Sequence, residues 1–370
     1  MIRELNNEQI ENAVTQFQTE GELLSYERYG NGHINDTFVV VFRINQNTKR
    51  YILQRINTNI FKEPEKLMEN IVRVTFFLRE KVKELGGDES REVLNLIYTR
   101  ENKPYYIDMV GSYWRMYLFI EGAKSLEQVE KPEDFYQSAV AFGRFQKLLS
   151  NFDASCLYEA LPDFHNTPLR YERFLQAVKE DKCNRVRNVR DEIEFFIKRK
   201  SDVEYCRKCL DSGKLPLRVT HNDTKLNNVL VDVKTGKGLC VIDLDTVMPG
   251  LSIFDFGDSI RFGANTALED EKDLTKVSLD LNLYELYVKG YLEGCEGSLT
   301  DTEISMLPHG AKTMTLECGM RFLTDYLEGD VYFRIHRQEH NLDRCRTQIA
   351  LVQDMERKWN EMNEIVLKYC

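Results

Sequence analysis

Residues 221–245 have the sequence HNDTKLNNVLVDVKTGKGLCVIDLD, and this stretch decides the fold of the chain. A short apolar run at 229–231 and a second apolar run are separated by a Thr-Gly turn, so the sequence predicts a β-hairpin. Asp223 and Asn228 stand just before the first run, and Asp243 stands at the end of the second. The hairpin is therefore expected to bring three oxygen-bearing side chains together.

The spacing of these polar residues is typical of phosphoryl transfer. Asp223 and Asn228 form a D-x-x-x-x-N unit, as in the catalytic loops of kinases, and Asp243 ends the next strand, where kinases carry a magnesium-binding aspartate. Because the reaction needs a base and hard oxygen ligands for Mg²⁺, we expect Asp223 to be the base and Asn228 and Asp243 to be metal ligands. Asp245 is a weaker candidate for a supporting or second-metal role. Turn and N-cap roles explain each acid taken singly, but the joint pattern favours catalysis.

Two neighbouring features are expected to support this hairpin. His221 precedes the candidate base, and since Asp223 already serves as the proton acceptor, His221 is expected to orient the loop. The run FDFGD at 254–258 imitates a D-F-G motif but follows the metal strand. Asp255 and Asp258 are therefore expected to lie at a helix start and to support the catalytic loop.

Composition limits the class of protein. The 370 residues are 42% apolar and 30% charged, and 8 Pro and 20 Gly leave little for a long linker, which favours one two-lobed globular body. The 60 acidic against 50 basic residues argue against a nucleic-acid partner. No basic-then-apolar leader and no bilayer-length apolar run are found, which predicts a cytoplasmic protein without a membrane partner. We expect a monomer, because no heptad pattern stands out.

The nine cysteines predict reduced thiols rather than a disulfide framework, because their number is odd and their spacing irregular. Cys206 and Cys209 form the one C-x-x-C unit. No second pair stands near it to complete a zinc site, so both are expected to be ordinary helix residues.

The first third of the chain predicts an antiparallel sheet with one helix. β-branched and aromatic residues are enriched in five short runs, and apolar residues recur at helical spacing between Pro64 and Gly86. We expect a nucleotide-binding lobe at 1–121, which ends near the polar segment EGAKSLEQVEKPED. The five predicted strands are 25–30, 37–44, 50–56, 93–99 and 112–120.

The remainder, 122–370, predicts a larger and mainly helical lobe that carries the catalytic hairpin and binds the substrate. The fold class is therefore α+β, with a small five-stranded N-terminal lobe and a helical C-terminal lobe. The predicted helices are 133–150, 168–180, 188–211, 278–293, 301–328 and 343–368.

The turn Gly30-Asn31-Gly32 lies between the first two predicted strands. Backbone N–H groups of such a turn can approach phosphates because no Cβ intervenes. A plain hairpin turn needs glycine equally, but the position before the catalytic hairpin favours phosphate binding. His33 and Asn35 follow the turn and are expected to face the cleft.

Gln54 stands on the third strand where protein kinases carry the V-A-I-K lysine. A neutral amide cannot supply that charge, so phosphate neutralisation is expected to rest on Mg²⁺ and backbone amides, or on Arg55 if a bulge turns it inward. Regular alternation points Arg55 to the opposite face. Glu65 and Glu69 on the following helix are then less certain ion-pair partners.

These motifs resemble those of the aminoglycoside phosphotransferase-like kinases, and within them the kinases that phosphorylate N-acetylhexosamines at C1. The resemblance implies the kinase-like two-lobe fold, ATP and Mg²⁺ as cofactors, and transfer of the γ-phosphate to N-acetylglucosamine or N-acetylgalactosamine. The segments that carry it are GNGHIND, RYILQRINTNIF, RVTHNDTKLNNVL, VIDLDTVMPGLSIFDFGDSIRFGANTALEDEKDL, ECGMRFLTDYLEGDVYF and EHNLDRCRTQIALVQDME.

The same resemblance implies positions for both substrates. The backbone near Phe119 to Glu121 is expected to receive adenine, beside Gln54 and the Gly30-Asn31-Gly32 turn. Residues matching His33, Asn35, Arg321 and Tyr332 are expected to bind the sugar near Asp223.

Arg321 shares one helix face with Asp325 and Glu328, because the three stand at i, i+4 and i+7. A ligand site and a structural ion-pair cluster explain this face equally well. Two other functions also stay open. The first is a kinase of the same fold that acts on an amino alcohol, another sugar or an aminoglycoside, and the second is a nucleotide-binding regulator without turnover, suggested by the missing lysine.

Overall fold

The computed structural model describes residues 6–30 and 34–370. The strands of these residues are β1 Glu22–Arg28, β2 Asp36–Ile44, β3 Asn47–Arg55, β4 Leu96–Ile97, β5 Tyr106–Ile107, β6 Tyr113–Leu118, β7 Ala123–Ser125, β8 Arg218–Thr220, β9 Val229–Asp232, β10 Gly238–Val241 and β11 Met248–Gly250. The helices are α1 Asn7–Thr15, α2 Pro64–Glu84, α3 Glu89–Glu92, α4 Pro132–Leu148, α5 Thr167–Glu180, α6 Arg190–Ile197, α7 Lys200–Asp211, α8 Ser252–Gly263, α9 Leu281–Cys295, α10 Asp301–Ser305, α11 Leu307–Glu328, α12 His340–Arg357 and α13 Trp359–Lys368.

The N-terminal strands form one antiparallel sheet in the order β1-β2-β3-β6-β4, with β5 paired to β6. All five predicted strands are therefore present, and β5 is an additional short strand that was not predicted. The predicted strand at 93–99 is reduced to the two residues of β4. The amide of Asn95 donates to the carbonyls of Glu89 (2.9 Å) and Val93 (2.8 Å), and these bonds hold a turn where a longer strand was expected.

Helices cover both faces of this sheet. The helix α1, which was not predicted, packs Ile10 and Val14 against one face beside Trp114. The helix α2 packs Leu67 and Ile71 in the core on the other face. The alternation of side chains along each strand separates these two cores.

The C-terminal part is helical and is built around closely packed helix pairs. Between α4 and α9 the backbones are in direct contact at Gly143 and Gly294. A Cβ at Gly143 would lie 2.3 Å from the carbonyl oxygen of Tyr291, and a Cβ at Gly294 would lie 2.3 Å from that of Val140. Glycine is therefore required at both positions for this approach.

Three predicted long helices are each broken in two. The region predicted as 188–211 forms α6 and α7, 301–328 forms α10 and α11, and 343–368 forms α12 and α13, the first of which already begins at His340. Pro308 stands in the first turn of α11, where its missing N–H is tolerated but prevents α10 from continuing. Local periodicity predicted the helical state but not these breaks.

The hairpin predicted to carry the catalytic residues is formed by β9 and β10. β9 pairs with β10 on one side and with β7 on the other, so the segment that follows the N-terminal sheet adds a strand to the hairpin. β8 and β11 form a second short pair, and the candidate catalytic residues lie between them in the sequence.

All nine cysteines are free thiols, and Cys206 and Cys209 are buried on α7 as helix residues. Within the described part of the chain, no helix combines the length and apolarity that crossing a bilayer requires.

Candidate active site

A cavity of about 220 Å³ lies between the N-terminal sheet and the hairpin. Ile52 and Leu118 from the sheet and Leu230 and Ile242 from the hairpin give it apolar walls, which suit a flat aromatic ring. Four polar side chains with predicted or newly found roles line the same cavity: Gln54, Arg115, Asn228 and Asp243.

The catalytic loop is fixed from behind by Asp255 of α8. Its buried carboxylate accepts hydrogen bonds from the backbone N–H groups of His221 and Asn222, both at 2.8 Å. Its backbone carbonyl accepts the hydroxyl of Thr224 at 2.6 Å. The predicted supporting role of Asp255 is confirmed, whereas Asp258 pairs with Arg261 on the same helix.

His221 joins the catalytic loop to the metal strand, as predicted. Its Nδ1 accepts the backbone N–H of Asp223 at 3.3 Å, and its Nε2 lies 2.8 Å from the carbonyl oxygen of Ile242. A carbonyl only accepts, so the ring is neutral with its proton on Nε2. The histidine therefore orients the loop that carries the candidate base Asp223.

Asp223 and Asn228 are joined by hydrogen bonds. Nδ2 of Asn228 donates to the backbone carbonyl of Asp223 at 2.8 Å and to its carboxylate at 3.2 Å. The other carboxylate oxygen lies 2.9 Å from Nζ of Lys225. Burial lowers the pKa of Lys225, but Asp223 raises it above its ordinary value, so the lysine stays cationic. No sequence motif marks this cation, although it is two residues from the candidate base.

Asp243 has the electrostatics of a cation site. Burial raises the pKa of its carboxyl to about 6, and the charges of Asp245 and Asp223 act in the same direction. Its carboxylate opens to the cavity and accepts no hydrogen bond from the described residues, and its backbone is held in the left-handed region at φ 59°. Asn227, on the same cavity, has an amide oxygen without a partner among these residues. An excess of negative charge and unused oxygens fits Mg²⁺ well.

Asp245 is buried and both of its oxygens are used. Oδ1 accepts from Nη1 of Arg115, and Oδ2 accepts from Nδ2 of Asn35 at 2.6 Å. The amide oxygen of Asn35 in turn accepts the backbone N–H of Asn57 at 2.9 Å. These bonds suit a supporting role for Asp245 better than direct metal binding.

Gln54 faces the cavity, as its register predicted, and Arg55 faces the other side, where it pairs with Asp36 at 2.6 Å. No bulge interrupts β3 there, so Arg55 does not turn into the cleft. The cation in the cleft is Arg115 instead, which stands opposite Gln54 on β6. Sequence reasoning missed it because cross-strand pairing is not visible in local pattern.

Neither Glu65 nor Glu69 of α2 pairs with this cation. Glu65 accepts the hydroxyl of Tyr113 at 3.2 Å, and Glu69 pairs with Arg73 one turn along the helix.

Only some of the residues predicted to bind the nucleotide line the cavity. Gly30 and Phe119 line it, and the guanidinium of Arg50 lies 3.8 Å from the ring centre of Phe119. Glu121 does not line the cavity and is bonded to Arg50 instead, with Nε to Oε1 at 2.9 Å. The predicted residues Asn31, Gly32 and His33 lie outside the described residues.

A second, smaller pocket of about 40 Å³ contains the predicted sugar residues Arg321 and Tyr332. Arg170 joins them there, with its Nε buried and without a hydrogen-bond partner among the described residues. Burial and the charge of Arg321 lower the pKa of Arg170. Within residues 6–30 and 34–370, neither guanidinium is paired with a carboxylate.

The other two residues of the predicted helix face are structural. The carboxylate of Asp325 accepts the backbone N–H groups of Val331 and Tyr332, at 2.9 and 2.8 Å, and so holds the loop that carries Tyr332. Glu328 pairs with Arg173 at 2.9 Å. On this face, only Arg321 is therefore available to a ligand.

His165 contacts the catalytic loop and was given no role from the sequence. Its Nε2 lies 3.2 Å from the carbonyl oxygen of Asn222, and its Nδ1 lies 2.8 Å from a carboxylate oxygen of the buried Glu317. Both partners are acceptors, so the ring is doubly protonated. Burial alone lowers the pKa of His165, but Glu317 outweighs it and raises the pKa above the ordinary value. The next residue back, Phe164, packs against Arg321.

Comparison with known proteins gives the family and the fold of the chain. The model of a family described as "Phosphotransferase enzyme family" (APH) matches residues 25–275. That range begins within β1 and includes the rest of the N-terminal sheet, the residues that line the cavity and the complete hairpin.

Solved structures share the whole architecture at low identity. An aminoglycoside phosphotransferase from Alicyclobacillus acidocaldarius aligns with a TM-score of 0.61 and 12% identity, over 97% of this chain and 96% of that one. Spectinomycin phosphotransferase, in complex with ADP and spectinomycin, aligns with 0.55 and 12%, over 95% and 100%. Plasmodium vivax ethanolamine kinase aligns with 0.53 and 16%, over 91% and 83%. These likenesses establish the two-lobe α+β fold of the aminoglycoside phosphotransferases.

Proposed function

Because this chain belongs to the phosphotransferase enzyme family, we propose that it is an ATP-dependent kinase that phosphorylates the anomeric C1 hydroxyl of an N-acetylhexosamine. The observation that carries the proposal is the hydrogen-bonded pair Asp223 and Asn228 beside the open carboxylate of Asp243. A base and two oxygen ligands are what phosphoryl transfer requires of the protein.

In this reaction, adenine occupies the apolar part of the cavity, near Phe119, and the phosphates extend toward Gly30 and Asp243. Asp223 orients the C1 hydroxyl and accepts its proton as the oxygen attacks the γ-phosphorus, the bond to the β-phosphate oxygen breaks, and ADP leaves. Lys225, beside the base, donates to the transferred phosphoryl group. Asn228 and Asp243 would hold Mg²⁺, which neutralises phosphate charge.

The charge of the second pocket supports a neutral acceptor. Arg170 and Arg321 provide guanidinium groups without carboxylate partners in the described residues, and Tyr332 adds a hydroxyl. Guanidinium N–H groups bind hydroxyl and carbonyl oxygens well, but they repel ammonium groups. Ethanolamine and spectinomycin, which the names of two similar structures mention, carry amines. An acetamido sugar carries none that is charged, and it offers oxygens to these donors.

The test is an ADP-release assay with Mg²⁺ and ATP. The acceptors are N-acetylglucosamine, N-acetylgalactosamine, glucose, galactose, choline, ethanolamine, homoserine and kanamycin, and the position of the phosphate on any product is assigned by phosphorus NMR. We expect release with the N-acetylhexosamines and phosphate at C1. Release with the amines alone would replace the sugar by an amino alcohol or aminoglycoside. Nucleotide binding without release for any acceptor would favour a regulator.

A further inference from the structure

The cavity contains the cation Arg115, which stands on β6. Protein kinases carry their phosphate-binding lysine at the position of Gln54, on the neighbouring strand β3. Gln54 of β3 stands at the lysine position, and Arg115 of β6 is its registered partner across the ladder. Side chains directly opposite each other in an antiparallel pair lie on the same face of the sheet. Both residues line the cavity, so the charge is displaced by one strand and still reaches the cleft.

Two of the three guanidinium nitrogens of Arg115 are fixed by the protein. Nε donates to Oε1 of Gln54 at 2.9 Å, and Nη1 donates to Oδ1 of Asp245. Gln54 is itself held by a bond from its Nε2 to Oγ1 of Thr37 at 3.0 Å. The amide at the lysine position therefore serves to hold the arginine.

The third nitrogen is the one available to a ligand. In the described part of the chain, Nη2 of Arg115 makes no hydrogen bond, and it is not among the enclosed atoms that lack a partner. The arginine is 1% exposed overall, and it lines the cavity. A buried cation with two anchored nitrogens and one open N–H group is preorganised for an anionic oxygen.

Resting on the function proposed above, we infer that Arg115 binds a phosphate oxygen of the nucleotide through Nη2, with Gln54 and Asp245 as its positioning residues. Asp245 then does for Arg115 what the glutamate of helix αC does for the lysine of protein kinases. The partner carboxylate stands two residues after Asp243, and the cation that it holds stands on β6.

The competing explanation is an ion pair between Arg115 and Asp245 that only stabilises the fold. The two explanations differ in their dependence on phosphate. Loss of a phosphate-binding arginine weakens the binding of ADP and leaves the binding of adenosine unchanged. Loss of a structural arginine weakens the binding of both ligands alike.

The experiment measures the dissociation constants of ADP with Mg²⁺ and of adenosine by calorimetry, for the wild type and Arg115→Met. We expect the ADP constant to rise roughly tenfold to hundredfold, the usual range for losing a hydrogen bond to a charged group, and the adenosine constant to stay the same. Arg55→Met is the matched control, because it removes an arginine that is paired with Asp36 on the opposite face of the same sheet. In this control, the ratio of the ADP and adenosine dissociation constants should equal that of the wild type.

If Arg115→Met leaves the ratio of the ADP and adenosine dissociation constants unchanged, the inference is overturned, while the kinase proposal stays intact. A wild-type protein that binds neither ligand would reject both. If Arg115→Met does not fold, the variant with both Arg115→Met and Asp245→Asn removes the unpaired buried carboxylate, and the same ratio is measured in it. Gln54→Lys added to Arg115→Met returns a cation to β3 and is expected to recover part of the ADP affinity.

Discussion

A single amide group couples the candidate base to a candidate metal ligand: Nδ2 of Asn228 donates to the backbone carbonyl of Asp223 at 2.8 Å and to its carboxylate at 3.2 Å. The amide nitrogen is thereby committed to Asp223, and the amide oxygen is left for a cation. Any change at Asp223 that keeps its shape should therefore preserve the loop, and this makes the base testable on its own.

Asp223→Asn is expected to lower kcat by roughly 10²–10⁴-fold, because the amide cannot accept the hydroxyl proton. ADP affinity should change little, since Asp223 does not line the nucleotide cavity. The ADP-release assay gives kcat, and calorimetry gives the affinity. Asp211→Asn, on the exposed end of α7, is the control. A variant with near-normal kcat would reject Asp223 as the base.

Asp243→Asn is expected to stabilise the metal-free protein at neutral pH. The folded-state pKa of this carboxyl is raised to about 6, above the unfolded value near 4, so its ionisation opposes folding fully above pH 6 and not below pH 4. Because the carboxyl opens to the cavity, solvent screening reduces the effect to about 1 kcal/mol. Urea unfolding at pH 8 and pH 4.5 measures it, and a stabilisation that is equal at both pH values would contradict the prediction.

The same titration predicts a pH dependence for the metal. A protonated Asp243 cannot bind Mg²⁺, so the apparent affinity for Mg²⁺ should fall as the pH drops through about 6 in the wild type. In Asp243→Asn, Mg²⁺-dependent ADP binding should be weak and should lose this pH dependence. Calorimetry from pH 5 to 8 gives both curves, and parallel curves would argue against Asp243 as a ligand.

Arg170→Gln and Arg321→Gln are each expected to raise the KM for the sugar roughly tenfold, because each removes charged donors from the second pocket. The KM for ATP should be unchanged, since neither residue lines the nucleotide cavity. Arg43→Gln is the control, because this exposed arginine of β2 is paired with Glu22 and does not line the second pocket. Equal effects of all three variants would indicate a general charge effect rather than acceptor binding.

The buried pair His165 and Glu317 is expected to contribute to stability only over a limited pH range. Glu317→Gln should cost about 1.5–3 kcal/mol in the free energy of unfolding, because it removes a hydrogen bond between charged groups and the buried His165 then loses its proton. Adding His165→Gln should recover part of this loss. The pKa of His165 is raised and that of Glu317 is lowered by their contact. The contribution should therefore be lost as pH rises through the raised pKa of His165, and again as pH falls through the lowered pKa of Glu317.

A double-mutant cycle by urea unfolding at several pH values measures this contribution. The coupling energy should be largest between the two pKa values. Additive effects of the two substitutions at neutral pH would show that the pair is not coupled.

Much of the fold was predictable because the relevant signals are local. The strands that form the N-terminal sheet alternate or are rich in β-branched residues, and the helical stretches repeat at 3.6 residues, so element type was predicted well. Helix breaks such as the one before Pro308 were not, because the periodicity of apolar residues continues across them. The helix α1 also escaped prediction, since its nine residues bury only three side chains.

For the site, the sequence by itself determined the hairpin, because Asp223, Asn228 and Asp243 lie within the 21 residues 223–243, whose apolar runs and Thr-Gly turn predict a strand, a turn and a strand. Only the tertiary structure decided where the cations lie. Arg115 meets Asp245 across 130 positions, and His165 meets Glu317 across 152. A charge that is stabilised by a partner so distant in the chain leaves no local pattern, because its burial is favourable only after the two parts of the molecule have packed together.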